Sequence, residues 1–228
     1  MLLKIISLIT LVVSQIPTSQ RAERAIQANQ TSLKSSFQNQ QLRWGSAVFI
    51  RIFKASNELE LWVENDQGFQ LFKTYPICTF SGQPGPKLAT GDQQSPEGFY
   101  FVKPNQLNPW SQFHLSFNLG YPNKYDRTKG RTGSALMVHG NCVSVGCYAM
   151  TDPLIEEIYT LMVAAFEGGQ PFVRVHAFPF RMTDENLSAQ EGHRWYGFWQ
   201  NLKTGYDYFE MQNRPPNVEV VNGLYVFD

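Results

Sequence analysis

Residues 137–152 read MVHGNCVSVGCYAMTD, and this segment combines the end of a predicted strand, a histidine, a cysteine and the start of a predicted helix. An apolar strand runs into His139 and Gly140, a short loop follows, and Cys147 comes shortly before a predicted helix. Only roughly a few per cent of a free cysteine is thiolate near neutral pH, so a nucleophilic cysteine needs a nearby base. The segment therefore predicts Cys147 as nucleophile and His139 as its base. Gly140 and Gly146 leave room for a substrate, and the backbone N–H groups around Gly146 and Cys147 are predicted to stabilise an oxyanion.

The spacing of these residues alone leaves two other interpretations open. A histidine and a cysteine eight positions apart also occur as a satisfied core histidine beside a buried thiol. His139, Cys142 and Cys147 could together bind a metal, although no CxxC or HExxH spacing accompanies them. We predict neither a metal nor a cofactor.

The flanking sequence predicts a mostly β fold with helices, of the α+β class. Apolar residues alternate with other residues over 48–53 and 58–64, and Asn65 to Gly68 forms a turn typical of a hairpin. Further strands are predicted at 99–102, 113–119, 135–138 and 172–178, with a terminal hairpin at 218–227. A weak helix is expected within 20–43. A strong helix is predicted to begin with Asp152 as cap and Pro153 in its first turn and to end at Gly168-Gly169, and a second helix is predicted over 185–203.

Several separated blocks resemble the YkuD-type L,D-transpeptidases and are most similar to their YafK-like branch. These blocks are Gly85-Pro-Lys87, Gly91-Asp92, Pro96-Glu-Gly-Phe-Tyr100, Arg131-Thr-Gly133, His139-Gly140, Ser144-Val-Gly-Cys-Tyr-Ala-Met-Thr-Asp152 and His176-Ala-Phe-Pro-Phe-Arg181. The resemblance covers roughly residues 46–180. It implies a β-sandwich catalytic domain over 44–180, with a helix after the catalytic cysteine, a polar helix or linker at 20–43 and a C-terminal extension at 181–228.

The resemblance also implies a reaction. Cys147 would attack the amide that follows meso-diaminopimelate in a peptidoglycan stem peptide, giving a thioester, while His139 takes and returns the proton. An amine acceptor would complete transpeptidation. The alternative is an amidase that detaches an outer-membrane lipoprotein from peptidoglycan. Many members of the family carry His at the position of Val145 and Arg at the position of Ala149, so a carboxylate contact of those enzymes is missing here.

Other residues of the matching blocks are candidates for support and substrate binding. Ser144, Gly140 and Gly146 are predicted to support the site, and Tyr148, Arg131 and Lys87 are predicted to contact substrate. Each has a structural alternative: a loop hydroxyl or glycine for the first group, core packing for Tyr148, and solvated loop cations for Arg131 and Lys87. His176 is interpreted as structural, and His114 and His193 as surface residues.

Composition and the N-terminus restrict the function classes and the compartment. Lys and Arg total 19, as do Asp and Glu, and the balance disfavours nucleic acid as a partner. Residues 1–19 show a basic start and a short apolar run typical of a signal peptide, or of an uncleaved anchor, and predict an exported, periplasmic protein. Of the three cysteines, Cys78 and Cys142 are the preferred disulfide pair, which leaves Cys147 free. A cell-wall-binding module without activity and a generic cysteine peptidase are the competing functions, and the oligomeric state stays open.

Overall fold

A computed structural model describes residues 16–228, so most of the predicted leader at 1–19 lies outside the described residues. The helices are α1 (Gln20–Asn39), α2 (Lys124–Thr128), α3 (Asp152–Glu167), α4 (Asp184–Ser188) and α5 (Tyr196–Gln212). The strands are β1 (Val48–Phe53), β2 (Glu58–Asn65), β3 (Gly68–Pro76), β4 (Thr79–Phe80), β5 (Gly98–Val102), β6 (Leu107–Asn108), β7 (Ser116–Asn118), β8 (Met137–His139), β9 (Tyr148–Ala149), β10 (Val173–Phe178), β11 (Val218–Val221) and β12 (Leu224–Phe227). Within residues 16–228, every helix is too short or too polar to cross a bilayer. The predicted mixed α+β fold is confirmed.

The first sheet has five strands in the order β3-β2-β1-β10-β5. β1 pairs in parallel with β10, and the other neighbours are antiparallel. The predicted hairpin is β2–β3, closed by a turn in which Gly68 has φ +126°. β1 is buried along its whole length, which is typical of a strand covered on both faces. All five of its strands contribute side chains to the main apolar core.

The second sheet has the order β4-β9-β8-β7-β6, and each of its strands has only two or three residues. β8 and β9 are parallel, with His139 opposite Ala149 and Val138 opposite Tyr148. The predicted strand 113–119 is shorter than expected: β7 begins at Ser116, because His114 has φ +66° and turns the chain before the strand. Phe113 consequently lies in a loop.

Helix α3 packs against both sheets. Its residues Ile155, Ile158, Leu161 and Met162 are almost completely buried, and each such side chain stabilises the fold by roughly 1.5–3 kcal/mol. Pro153 lies in the first turn as predicted, but the N-cap is Thr151 and not Asp152. The Asp152 carboxylate instead accepts a hydrogen bond from the Asn141 N–H, and this bond draws it towards the loop before Cys147.

Helix α1 packs along α3, and its apolar face joins the same core cluster. Ala22, Ala25, Leu33 and Phe37 are its buried residues. Ser19 caps the helix by accepting the Ala22 N–H. The weak helix predicted within 20–43 is therefore a full helix, which is stabilised by tertiary packing of one apolar face.

The C-terminal part packs on the outer face of the first sheet. The predicted helix 185–203 is in fact two helices, because Gly192 takes φ +83° between α4 and α5. α5 then continues to Gln212, since Tyr206 and Phe209 extend its buried face. A Cβ at Gly205 would lie 2.4 Å from the Phe227 ring and 2.6 Å from the Phe99 ring, so only glycine lets this helix approach so closely. The predicted terminal hairpin is β11–β12.

Candidate active site

Cys147 lies at the end of residues 140–147, which we call the reactive loop, directly before β9. It is the free cysteine of the described chain and is half-buried. The Met137 N–H donates to its Sγ at 3.3 Å, and the thiol points to the Ala135 carbonyl oxygen at 3.8 Å. Burial raises the pKa of the thiol, and the Met137 N–H and the Lys87 charge partly oppose this rise. The resting group is therefore a neutral thiol at neutral pH.

His139 ends β8 and is only 2% exposed. Its Nδ1 is 2.6 Å from the Gly140 carbonyl oxygen. Because a carbonyl can only accept, Nδ1 carries the proton and Nε2 has the free lone pair. The Phe113 ring covers the imidazole at 4.7 Å between centroids. Burial lowers the pKa of His139, and the bond to Gly140 opposes this, so the ring is neutral.

The register of β8 and β9 brings His139 and Cys147 onto neighbouring segments. Val138 is opposite Tyr148. Met137 and Cys147, which precede these two residues, are therefore neighbours, in agreement with the bond from the Met137 N–H to Cys147 Sγ. Side chains alternate along a strand, so His139 leaves β8 on the same face as Met137. The register therefore places the neutral thiol and the neutral imidazole on neighbouring segments, but the hydrogen-bond contacts of Sγ are with the Met137 N–H and the Ala135 carbonyl and not with His139.

Serine hydroxyls hold the reactive loop. The Gly146 N–H donates to Ser81 Oγ at 2.8 Å and to Ser144 Oγ at 3.2 Å. Ser144 and Ser95 both donate to the Cys147 carbonyl, at 2.7 and 2.9 Å. The Gly146 N–H is therefore already bonded to serine hydroxyls, in contrast to the oxyanion role predicted for it. Gly146 itself is required, because its φ of +120° excludes other residues.

Ser81 and Ser95 were missed by the sequence reasoning. They lie in the segment between β4 and β5, more than fifty positions before Cys147. The only signal for Ser95 was its place directly before the Pro96-Glu-Gly-Phe block, and Ser81 had none beyond its position in a Gly- and Pro-rich loop. Ser144 was predicted as a supporting residue, and its hydroxyl does bond the Cys147 backbone.

A disulfide joins Cys78 to Cys142, as preferred from the sequence. It connects the reactive loop to the segment before β4, across 64 positions of the chain. Asn141 and Cys142 have φ of +65° and +50°, and the Cys142 N–H donates to the Met150 carbonyl at 3.1 Å. The pairing leaves Cys147 with its thiol free.

The residues predicted to contact substrate have other contacts in the structure. Tyr148 is fully buried, and its hydroxyl donates to the Pro96 carbonyl at 2.6 Å. Arg131 is buried, pairs with Asp126 at 2.7 Å and lies over two aromatic rings. Neither side chain is available to substrate, so both predictions are corrected to core contacts.

Lys87 is also buried and pairs with Asp92. It nevertheless remains near enough to Cys147 for its charge to stabilise the thiolate. Lys87 is therefore a buried cation near the thiol. It is not the solvated loop residue that was the alternative to its predicted contact with substrate.

The other histidines are outside this arrangement. His176 is buried between the rings of Phe49 and Phe99, and neither ring nitrogen has a hydrogen bond, in agreement with a structural residue. His114 keeps part of its side chain exposed at the surface, as predicted, and its ring bonds Glu156 at 2.7 Å. Within residues 16–228, no three His, Cys, Asp or Glu side chains are placed to hold a metal ion.

A mixed α+β domain with a free cysteine and a carbonyl-bound histidine on adjacent strands has the side chains of a thiol acyltransferase or thiol hydrolase. Comparison with known proteins agrees with this class. The family model of the YkuD L,D-transpeptidase catalytic domain matches residues 47–175. The chain belongs to the YkuD L,D-transpeptidase family.

Two curated relatives are similar over most of the chain. "Putative L,D-transpeptidase YafK" of Escherichia coli K12 is 50% identical over 182 residues, which cover 80% of this chain and 74% of the relative. The protein of the same name from E. coli O157:H7 gives the same figures. The predicted similarity to the YafK-like branch is confirmed.

Two solved structures are more distant. The helical cell shape determining protein Pgp2 of Campylobacter jejuni, as a K307A mutant, gives a TM-score of 0.49 at 18% identity and covers 73% of this chain. This chain spans 57% of the length of that structure. Bd1075 of Bdellovibrio bacteriovorus gives a TM-score of 0.43 at 18% identity, over 78% of each chain.

Proposed function

We propose that this chain is an exported enzyme that modifies peptidoglycan by attacking, with Cys147, the amide after meso-diaminopimelate. The observation that carries the proposal is the hydrogen bond from His139 Nδ1 to the Gly140 carbonyl, which leaves Nε2 free to take a proton, together with the pairing of β8 with β9, which Cys147 directly precedes. Family membership supplies the substrate class, peptidoglycan.

The proposed reaction begins from a neutral pair. His139 Nε2 takes the proton of Cys147 as Sγ attacks the amide carbonyl carbon, and the Nδ1–H bond to Gly140 stabilises the imidazolium that forms. The C–N bond then breaks, the leaving amine takes the Nε2 proton, and a thioester remains. A neutral thiol that is deprotonated only during attack suits the raised pKa of Cys147 and the lowered pKa of His139.

Two fates of the thioester define two candidate activities. An acceptor amine gives transpeptidation, and water gives hydrolysis, as in an amidase that releases a lipoprotein. Ala149 lies opposite His139 and is fully buried, so this position offers no cation for a second stem peptide's carboxylate. Val145 in the reactive loop is 83% exposed and apolar, so it also offers no charge. These two positions favour testing hydrolysis alongside transpeptidation.

The disulfide supports export, since such bonds persist in oxidising compartments such as the periplasm. We therefore extend the proposal to a periplasmic location, with the predicted leader at residues 1–19 as the export signal or anchor.

The proposal is tested by product analysis on lipoprotein-linked peptidoglycan, with and without an added amine acceptor. Release of the lipoprotein without transfer identifies an amidase, and transfer to the amine identifies a transpeptidase. The Cys147→Ala variant is the control and is expected to give neither product. Unchanged products from that variant would contradict the proposal, and no product from folded wild-type protein would favour a binding module.

A further inference from the structure

The loop of residues 109–114, which we call the clasp loop, contacts the proposed base from two directions. Its Phe113 ring packs on the imidazole of His139 at 4.7 Å, with the ring planes tilted by 31°. The Phe113 carbonyl accepts the Gly140 N–H at 3.0 Å. The carbonyl of the same Gly140 holds Nδ1 of His139. The clasp loop therefore covers the imidazole and also bonds Gly140, the residue whose carbonyl sets its tautomer.

Helix α1 holds the clasp loop in turn. Nη1 of Arg21 donates to the Ser111 carbonyl at 2.8 Å and to the His114 carbonyl at 2.6 Å, so the two bonds bracket Phe113 along the chain. Ser19, the N-cap of α1, donates to the Pro109 carbonyl at 2.9 Å. Hydrogen bonds from a charged guanidinium to carbonyls are stronger and more directional than those between neutral groups.

The loop is anchored on its other side by α3. His114 bonds Glu156 at 2.7 Å, and its φ of +66° turns the chain towards that helix. A Cβ at Gly140 would meet the His114 Cβ at 3.0 Å and the Asp152 carboxylate at 2.5 Å, so the loop and α3 also close tightly around Gly140. The conformation of Phe113 is thus set between α1 and α3.

We propose that Arg21 is a positioning residue for His139, acting through the clasp loop, and that the first turn of α1 thereby supports the active site. Arg21 lies outside residues 47–175, the part matched by the family model. The role rests on the proposed function in one respect only, namely that His139 is the base. The path runs from the Arg21 guanidinium to the carbonyls of 111 and 114, through the Phe113 carbonyl to Gly140, and from Gly140 to Nδ1.

The test compares Arg21→Ala and Arg21→Lys with Arg24→Ala. Arg24 lies one turn further along α1, is exposed, and its guanidinium bonds Gln20 of the same helix. Two readouts need no substrate: the titration of the His139 ring followed by NMR, and the pH profile of Cys147 alkylation by iodoacetamide. The neighbouring ionisable groups Cys147, His114 and Asp152 are the same in all variants.

In Arg21→Ala we expect the His139 pKa to rise towards its ordinary value, because a loosened Phe113 exposes the ring to water. We expect kcat to fall about 10-fold to 100-fold with KM nearly unchanged, since misplacement of the base affects the chemical step. Arg21→Lys is expected to recover part of the loss, and Arg24→Ala to match the wild type.

A folded Arg21→Ala protein whose His139 titration and alkylation profile equal those of the wild type would overturn the proposal. Equal effects from Arg24→Ala would overturn it as well, because they would indicate general destabilisation of α1. Phe113→Leu serves as the second variant if Arg21→Ala does not fold, because Phe113 is 41% exposed and its replacement is tolerated more easily by the fold. This variant is expected to raise the His139 pKa, as Arg21→Ala does. A wild-type protein without turnover would refute the proposed function, whereas the His139 titration would still test the positioning.

Discussion

The two five-stranded sheets of this chain each bury a histidine, but they hold it in different ways. The first sheet has strands of five to nine residues, and its His176 lies in β10 between phenylalanine rings without a hydrogen bond to either nitrogen. The second sheet has strands of two or three residues, and its His139 is bonded through Nδ1 on the strand that pairs with the segment following the free Cys147. Burial lowers the pKa of both imidazoles.

This difference shows that burial and a lowered pKa do not by themselves identify a base. The oriented tautomer and the neighbouring nucleophile do so. It also shows how the site is held: the long strands of the first sheet are fixed by their backbone ladders, whereas the short strands around Cys147 depend on serine hydroxyls, a disulfide and the clasp loop. Changes to these supports are therefore expected to affect activity as well as stability.

The largest difference is expected between substitutions of the two histidines. His139→Gln removes the base, and we expect turnover to fall by roughly 10²–10⁴-fold. His176→Leu replaces two unpartnered nitrogens with an apolar group of similar size, so turnover and stability are expected to stay near wild type. Steady-state kinetics and chemical denaturation of both variants provide the measurement. Loss of turnover in a stable His176→Leu protein, or full turnover in His139→Gln, would reverse the comparison.

Removal of the disulfide tests how far the second sheet depends on supports other than its backbone hydrogen bonds. We expect the double variant Cys78→Ser/Cys142→Ser to lose about 2–4 kcal/mol of unfolding free energy, because a crosslink across 64 positions constrains the unfolded chain. Turnover is expected to fall as the reactive loop loosens. The free energy from urea denaturation and kcat at low temperature measure the two effects separately. An equally active and equally stable variant would indicate that the serine contacts suffice.

The pH dependence tests both histidines at once. Each has a folded-state pKa below the ordinary value of 6.5, so the unfolded chain binds protons more readily as pH falls. By linkage the unfolding free energy decreases below about pH 6.5, by at most about 1.4 kcal/mol per pH unit for each histidine. His176→Leu is expected to reduce this slope without moving the acid limb of kcat, which belongs to His139. A slope unchanged in that variant would show that His176 titrates normally.

A smaller effect is expected from the serine that holds the reactive loop. Ser81→Ala removes the nearer of the two acceptors of the Gly146 N–H, and we expect a loss of about 1 kcal/mol with a severalfold fall in kcat. Ser35→Ala, on the exposed face of α1, is the matched control and is expected to change neither quantity. Thermal unfolding and kinetics of the pair provide the measurement. If both variants behave alike, the hydroxyl of Ser81 does not support the site.

The long elements of the first sheet were predictable from the sequence, because alternation, a turn at 65–68 and a capped apolar helix each leave a local pattern. The pair His139 and Cys147 was predictable as a hypothesis from one short segment. Local pattern did not reveal that Thr151, and not Asp152, is the N-cap of α3. The Asp152 carboxylate is occupied by the Asn141 N–H, which is a tertiary contact. The break in the helix predicted at 185–203 was marked only by Gly192.

The supporting contacts could not be predicted for a related reason. Ser81 and Arg21 act on residues 65 and 90 positions away, through backbone atoms that every residue possesses. Arg131 and Tyr148 lie within matching blocks, yet their side chains turn into the core, and only tertiary packing decides that direction. Sequence therefore predicted which residues would react, whereas the structure was needed to find the contacts that hold them in place.

The central claim is that Cys147 forms a thioester with the peptidoglycan acyl group after proton transfer to His139. Its most direct test is intact-mass analysis of enzyme quenched rapidly in acid during turnover of diaminopimelate-containing muropeptides. We predict a mass increase equal to the acyl portion of the donor peptide, located on Cys147 by peptide mapping and absent from Cys147→Ala. Turnover with no such adduct, or an adduct on another residue, would contradict the account.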